Sequence, residues 1–221
     1  MHIEKKEELK KISRVFATKA AEVNMKILEV LAFKGPLNPY SIAKNLQGEE
    51  DQSTINRRTR KLAESKYVSV VEERPSQKSG QATRLYGLTL KGFLIALLFV
   101  EYDDKVDVML QANKKNISFC DFFNEVITRK TLTSQEVKEI FLDRLKEFMS
   151  KGDFNVDTIP DYFLFKHAGI YILHYEQARL DNLPEIKAKT IANILFEFRR
   201  LSHPETTEKF LKPYLTNQPD K

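Results

Sequence analysis

Between Asp51 and Lys66 the chain reads Asp-Gln-Ser-Thr-Ile-Asn-Arg-Arg-Thr-Arg-Lys-Leu-Ala-Glu-Ser-Lys. Ile55, Thr59 and Leu62 recur at i, i+4 and i+7, which on a helix places them on one inward face. At about 100° per residue, Ser53, Arg57, Arg60 and Glu64 then point directly away from that face, with Asn56 and Lys61 on its flanks. Arg58 falls nearer the rim, where its stem can cover apolar surface while the guanidinium stays in water. Ser53 or Thr54 is the expected N-cap. One segment thus combines an apolar seam with a cationic outer face, and the fold must present the second while burying the first.

The flanking signals give this helix neighbours. Val23, Ile27, Leu28, Val30 and Leu31 mark a stronger preceding helix, stopped by Gly35-Pro36. Asn38-Pro39 is a helix start, with asparagine as cap and proline in the first turn, and a short helix runs through Tyr40, Ile42, Ala43 and Leu46 to Gly48. After Lys66, Val68 and Val70 alternate with Tyr67 and Val71 as a strand. Leu85 and Leu88 mark its partner, and Lys78-Ser79-Gly80 fits the turn between them. Leu90 to about Lys115 returns to helix, apolar nearly all round from Phe93 to Val100 and amphipathic beyond Tyr102.

Beyond Asn116 the pattern is helical throughout. Phe119, Phe122, Phe123, Val126 and Ile127 share one helix, and Thr133-Ser-Gln-Glu136 is a capping-box sequence that opens another. Pro160 to Leu180 is unusually apolar, Pro184 starts a further helix, and a short one spans roughly Glu205 to Tyr214. Ile3 to about Phe16 is an amphipathic helix with a narrow stripe, suited to packing on the rest of the chain or on a second subunit. No internal repeat is visible.

Charge and composition narrow the partners. Residues 1–89 hold 17 Lys and Arg against 11 Asp and Glu, while residues 90–221 hold 19 against 20, so the whole excess of +5 lies in the first part. A cationic excess placed there favours a phosphate-facing surface. The longest apolar run, Phe93 to Val100, is far below the ~20 residues that cross a bilayer, and Met1 to Lys19 lacks the pattern of a secretory signal. The single Cys120 excludes a disulfide framework and multi-cysteine zinc sites, and fits a reducing cytosol. A soluble cytoplasmic protein is expected.

Residues 24–92 resemble the winged helix-turn-helix domains of prokaryotic transcription regulators of the MarR, ArsR and PadR type. The matching features are Ser53-Thr54-Ile55-x-Arg57-Arg58-x-x-x-Leu62, the Tyr67-Val68 strand entry, and Tyr86-Gly-Leu-Thr89-Leu-Lys-Gly92, which looks like the strand-to-helix join of archaeal members. The likeness covers about a third of the chain, and the remainder matches no family by its motifs. Two positions depart from the pattern: Thr59 stands where a larger aliphatic is usual, and Lys66 where a glycine often makes the turn.

The periodicity beyond residue 92 predicts a connecting helix (93–115) and an all-helical bundle (116–221), and the resemblance implies a winged-helix domain (1–92) before them, so the expected fold is mainly α with a small β wing. The resemblance also implies a helix lying in the major groove of double-stranded DNA. Arg57 and Arg60 are the candidates for guanine edges and Asn56 for adenine, with Ser53 and Thr54 holding a phosphate at the helix N-terminus. Lys61 and Arg58 are expected as backbone clamps, and Tyr40, Ser41 and Lys44 as register-setting phosphate contacts. Arg74, Lys78 and Arg84 would lie along the minor groove.

A homodimer is expected, because one winged helix offers a small footprint; the amino-terminal helix and Phe93–Val100 are its candidate interfaces, burial under the bundle being the other reading of the latter. The aromatics of Phe119–Phe123 and Tyr162–Tyr175 allow either a small apolar effector pocket or a plain core. Other constellations carry less. His167, His174 and Glu176 lack the ligand count and spacing of a zinc site. Cys120 has no histidine partner to make it a nucleophile. Asp103, Asp104 and Asp107 read as a solvated helix face. No glycine-rich phosphate loop or nucleophile elbow is present, so neither an enzyme nor a cofactor is expected. The competing reading is an adaptor whose winged helix contacts protein in a transcription or replication assembly.

Overall fold

The computed structural model describes residues 14–16, 20–74, 83–130, 132–143 and 146. The chain divides into two units, Met1–Ile159 and Pro160–Lys221, and every described residue belongs to the first. The boundaries expected at 92 and 115 both fall inside that unit. The expected helices beyond Pro160, the wing tip and most of the amino-terminal helix lie outside the described residues.

The described part is mainly helical, with seven α-helices and one two-stranded antiparallel sheet. In chain order these are α1 (Ala21–Lys34), α2 (Pro39–Asn45), α3 (Gln52–Glu64), β1 (Val68–Arg74), β2 (Thr83–Leu88), α4 (Leu90–Phe99), α5 (Val106–Asn113), α6 (Ser118–Thr128) and α7 (Ser134–Val137). A 3-10 turn, Arg14–Phe16, precedes α1 and another, Asp103–Lys105, precedes α5; a π-helical turn, Lys138–Leu142, follows α7.

Helix α1 is the axis, packing on α2, α3, α4 and α5. Its Ile27, Leu28 and Leu31 are fully buried with Ile42, Ile55 and Leu62. The Asn38 side chain accepts from the Ser41 amide (2.8 Å) and Pro39 fills the first turn, so α2 starts where those two residues place it. Phe16 meets Tyr67 edge-to-face at 5.3 Å, and Asn24 donates to the carbonyl of Val15, tying the 3-10 turn to α1 and to the start of β1.

The hairpin differs from simple alternation. Tyr67 and Val68 are both buried and Val70 and Val71 both exposed. Pairing runs Val68↔Leu88 to Val70↔Tyr86 and resumes at Glu72↔Leu85, which leaves Val71 as the extra residue of a bulge. The other edge of β2 is also paired: Leu37, between α1 and α2, exchanges two backbone hydrogen bonds with Tyr86 (3.0 and 2.8 Å).

The long helix expected from Leu90 to Lys115 is broken. Val100 is extended (φ −87°, ψ 138°), and Tyr102 turns inward to donate its hydroxyl to Asp143. Phe93 to Leu98 are all buried within the chain, with Phe93, Phe119 and Phe123 forming a run of tilted rings. Phe93–Leu98 is therefore core within the chain, and Phe119 and Phe123 are buried with it. The capping box is present, with Thr133 accepting from the Glu136 amide and the Glu136 carboxylate accepting from the Thr133 amide.

Candidate nucleic-acid interface

Helix α3 begins one residue beyond Asp51, whose carboxylate is the cap. It accepts from the Thr54 amide (2.8 Å), the Ser53 hydroxyl (2.5 Å) and the Thr54 hydroxyl (2.8 Å). These hydrogen bonds, that from Ser53 foremost, hold the Asp51 pKa well below the usual carboxylate range. The expectation that Ser53 or Thr54 caps the helix is corrected here. The hydroxyls of both residues and the Thr54 amide, the groups expected to face a phosphate, are given to Asp51.

Along α3, Ile55, Thr59 and Leu62 are fully buried. The Thr59 hydroxyl donates to the Ile55 carbonyl (2.8 Å), which satisfies a polar group where an aliphatic was expected. On the opposite side Ser53, Arg57, Arg60, Lys61 and Glu64 are exposed, while Asn56 and Arg58 are half-buried. Four cations against Glu64 leave the helix at +3. Among the described residues no carboxylate pairs with Arg57, Arg58, Arg60 or Lys61; the ion pairs lie elsewhere. The Arg58 Nε is buried without a hydrogen-bond partner.

The other expected contacts divide. On α2, Tyr40 is 61% exposed and Lys44 is exposed, so both are open to a partner; Ser41 is half-buried, its amide given to Asn38 and its carbonyl to Asn45. On the hairpin, Arg84 stands directly across from Glu73, and its Nε donates to that carboxylate at 2.8 Å. Arg84 is thus ion-paired with Glu73 while both side chains remain exposed. The backbone of Arg74 ends β1 opposite Thr83. The Arg74 side chain and all of Lys78 lie outside the described residues.

Asp51 and Glu73 are the two residues that the sequence reading passed over. Asp51 had a legible signal, since aspartate caps as well as serine and Thr54 follows three residues later. Glu73 had none, because its register with Arg84 depends on the bulge at Val71.

Among the described residues, no group of three or more His, Cys, Asp or Glu could hold a metal ion, and no helix is long and apolar enough to cross a membrane. Cys120 is buried, and that burial raises its pKa well above the usual thiol value. No family model, no curated protein and no solved structure matches the chain.

Proposed function

We propose that this chain is a sequence-specific, double-stranded DNA-binding regulator of transcription, in which residues 24–92 act as a winged helix-turn-helix. Helix α3 enters the major groove, and the hairpin lies along the adjacent minor groove. The observation that carries this reading is the outer face of α3: Arg57, Arg60 and Lys61 stand exposed, without carboxylate partners among the described residues, beside a fully buried Ile55–Thr59–Leu62 ridge. Cations left unpaired on a rigid, convex helix suit a polyanion whose grooves accept a helix. The element order supports it as well, because Leu37 bridges β2 between α1 and α2 and so joins the helix pair to the hairpin.

Arg57 and Arg60 are the base-reading residues of this proposal, Asn56 is a flanking one, and Arg58, Lys61, Tyr40 and Lys44 contact the backbone. A homodimer on paired half-sites would supply the affinity and specificity that one small footprint lacks. Two observations favour the second reading, a protein-binding adaptor: Arg84 is paired with Glu73, and Asp51 places an anion at the front of α3.

Titration of a fluorescent duplex at several salt concentrations separates the two. A DNA binder loses affinity steeply as salt rises, with log K falling by about 0.9 per phosphate contact for each unit of log salt. Binding that is absent or insensitive to salt assigns the helix to a protein partner.

A further inference from the structure

The turn between α5 and α6 touches the proposed DNA-binding unit at two points. Asn113 is fully buried and donates its amide to the carbonyl of Ala32 near the end of α1 (2.7 Å) and to that of Met109 (3.0 Å). Asn116 donates to the carbonyl of Leu88, the last residue of β2 (2.8 Å). The turn closes on itself, with the amides of Asn116 and Ile117 donating to the Asn113 carbonyl. One short segment therefore grips the end of the central helix and the base of the hairpin together.

The fit at both grips is close. A Cβ on Gly35 would lie 2.4 Å from the carbonyl oxygen of Ala112, and a Cβ on Gly87 would lie 2.9 Å from Asn116 Nδ2 and 3.0 Å from Val71 Cγ1. Yet both amides are only half used. The Oδ1 atoms of Asn113 and Asn116 are buried without a hydrogen-bond partner, and an unsatisfied buried acceptor is destabilising. The donors, by contrast, both reach backbone carbonyls and so fix the turn against Ala32 and Leu88.

We propose that Asn116 is a positioning residue for nucleic-acid binding. Through the Leu88 carbonyl it sets the angle of the β1–β2 hairpin against α3, so that helix and hairpin meet one duplex together. This rests on the DNA-binding reading above and deepens it.

The test uses the full-length chain and a random-sequence duplex, titrated by fluorescence anisotropy across a salt series at a temperature where circular dichroism shows each variant fully folded. N116A is expected to bind about tenfold more weakly, the worth of one positioning hydrogen bond. Its salt dependence should also flatten by about 0.9, because one phosphate contact, from the exposed Arg84 of the hairpin, is lost. A purely structural role would lower the melting temperature and leave the salt slope of the folded protein unchanged; that outcome overturns the proposal. If N116A does not fold, N116S is read in the same way, since serine keeps the turn polar while being too short to reach Leu88. A wild-type protein that shows no salt-dependent binding sinks the DNA reading itself, and is recognised before any variant is measured.

Discussion

Gly92 stands with its α-carbon against the carbonyl of Tyr67, so close that a Cβ there would lie 1.9 Å from that oxygen. The contact joins the first turn of α4 to the exit of α3. Thr89 reinforces it, its amide donating to Tyr67 and its hydroxyl to Lys66 (3.1 and 2.6 Å). Both partners are backbone, so neither can rotate away. Gly92→Ala is expected to lower the unfolding free energy by about 2–3 kcal/mol or more, the range of severe overpacking, as read from the urea midpoint at constant m.

Lys66 makes the turn into β1 with φ of 61°, in the left-handed region that a side chain disfavours. Its amide donates to Ala63 and its carbonyl accepts from Thr89, so the conformation is held by backbone hydrogen bonds that glycine would keep. Lys66→Gly should therefore stabilise the protein by about 0.5–1 kcal/mol in chemical denaturation, the relief of strain exceeding the added entropy of the unfolded chain. A loss of stability would show that the lysine side chain makes a compensating contact.

Local chemistry was legible in the sequence, and long-range pairing was not. The α3 seam, the Asn38-Pro39 start and the Thr133–Glu136 box each depend on residues within a turn or two, and the structure has all three. The cap of α3 was misplaced because Asp51, Ser53 and Thr54 are all capping residues, and only the backbone geometry selects among them. The bulge at Val71 and the Glu73–Arg84 pair follow from strand register. The break after Phe99 accompanies a hydrogen bond from Tyr102 to a residue 41 positions away, and the amides of Asn113 and Asn116 reach partners 81 and 28 positions away. No periodicity in a short window carries that information. On the outer face of α3, exposure was legible because it is the complement of the seam, whereas freedom from ion pairing among the described residues depended on where their carboxylates fell.

The exposed arginines of α3 give the sharpest functional expectation. Arg57→Ala and Arg60→Ala should each weaken binding to a selected duplex by about 1–3 kcal/mol, the worth of a bidentate base contact, and relax sequence preference at one position. Folding stability should stay within about 0.5 kcal/mol of wild type, because neither side chain is buried. Lys61→Ala should weaken all duplexes alike and lower the salt slope by about 0.9, as a backbone contact does. Anisotropy with specific and scrambled duplexes checks all three.

Cys120 should be inert. Its sulfur is buried and its pKa is raised, first by burial and then by neighbouring Asp121, which suppresses the reactive thiolate. A colorimetric thiol reagent is expected to react only as fast as the protein opens, and at once in denaturant. Rapid labelling of the folded chain would place the α6 region among its least stable parts.

Asp51 yields a test of both stability and binding. Because hydrogen bonds from Ser53 and Thr54 depress its folded pKa, its contribution is fully present above the unfolded-state value of about 3.9 and is lost as pH falls through the folded value. The advantage of wild type over Asp51→Ala should thus be constant between neutrality and about pH 5, and shrink on further acidification. Asp51→Asn keeps an oxygen for the Thr54 amide, so it should preserve the helix start while removing an anion from the face proposed to meet phosphate. Tighter duplex binding by Asp51→Asn, with the excess fading at high salt, is the expected result. Weaker binding on a fixed sequence would mean instead that the carboxylate itself accepts from a base, as aspartate does from the amino group of cytosine, and would move the reading edge of α3 forward to its cap.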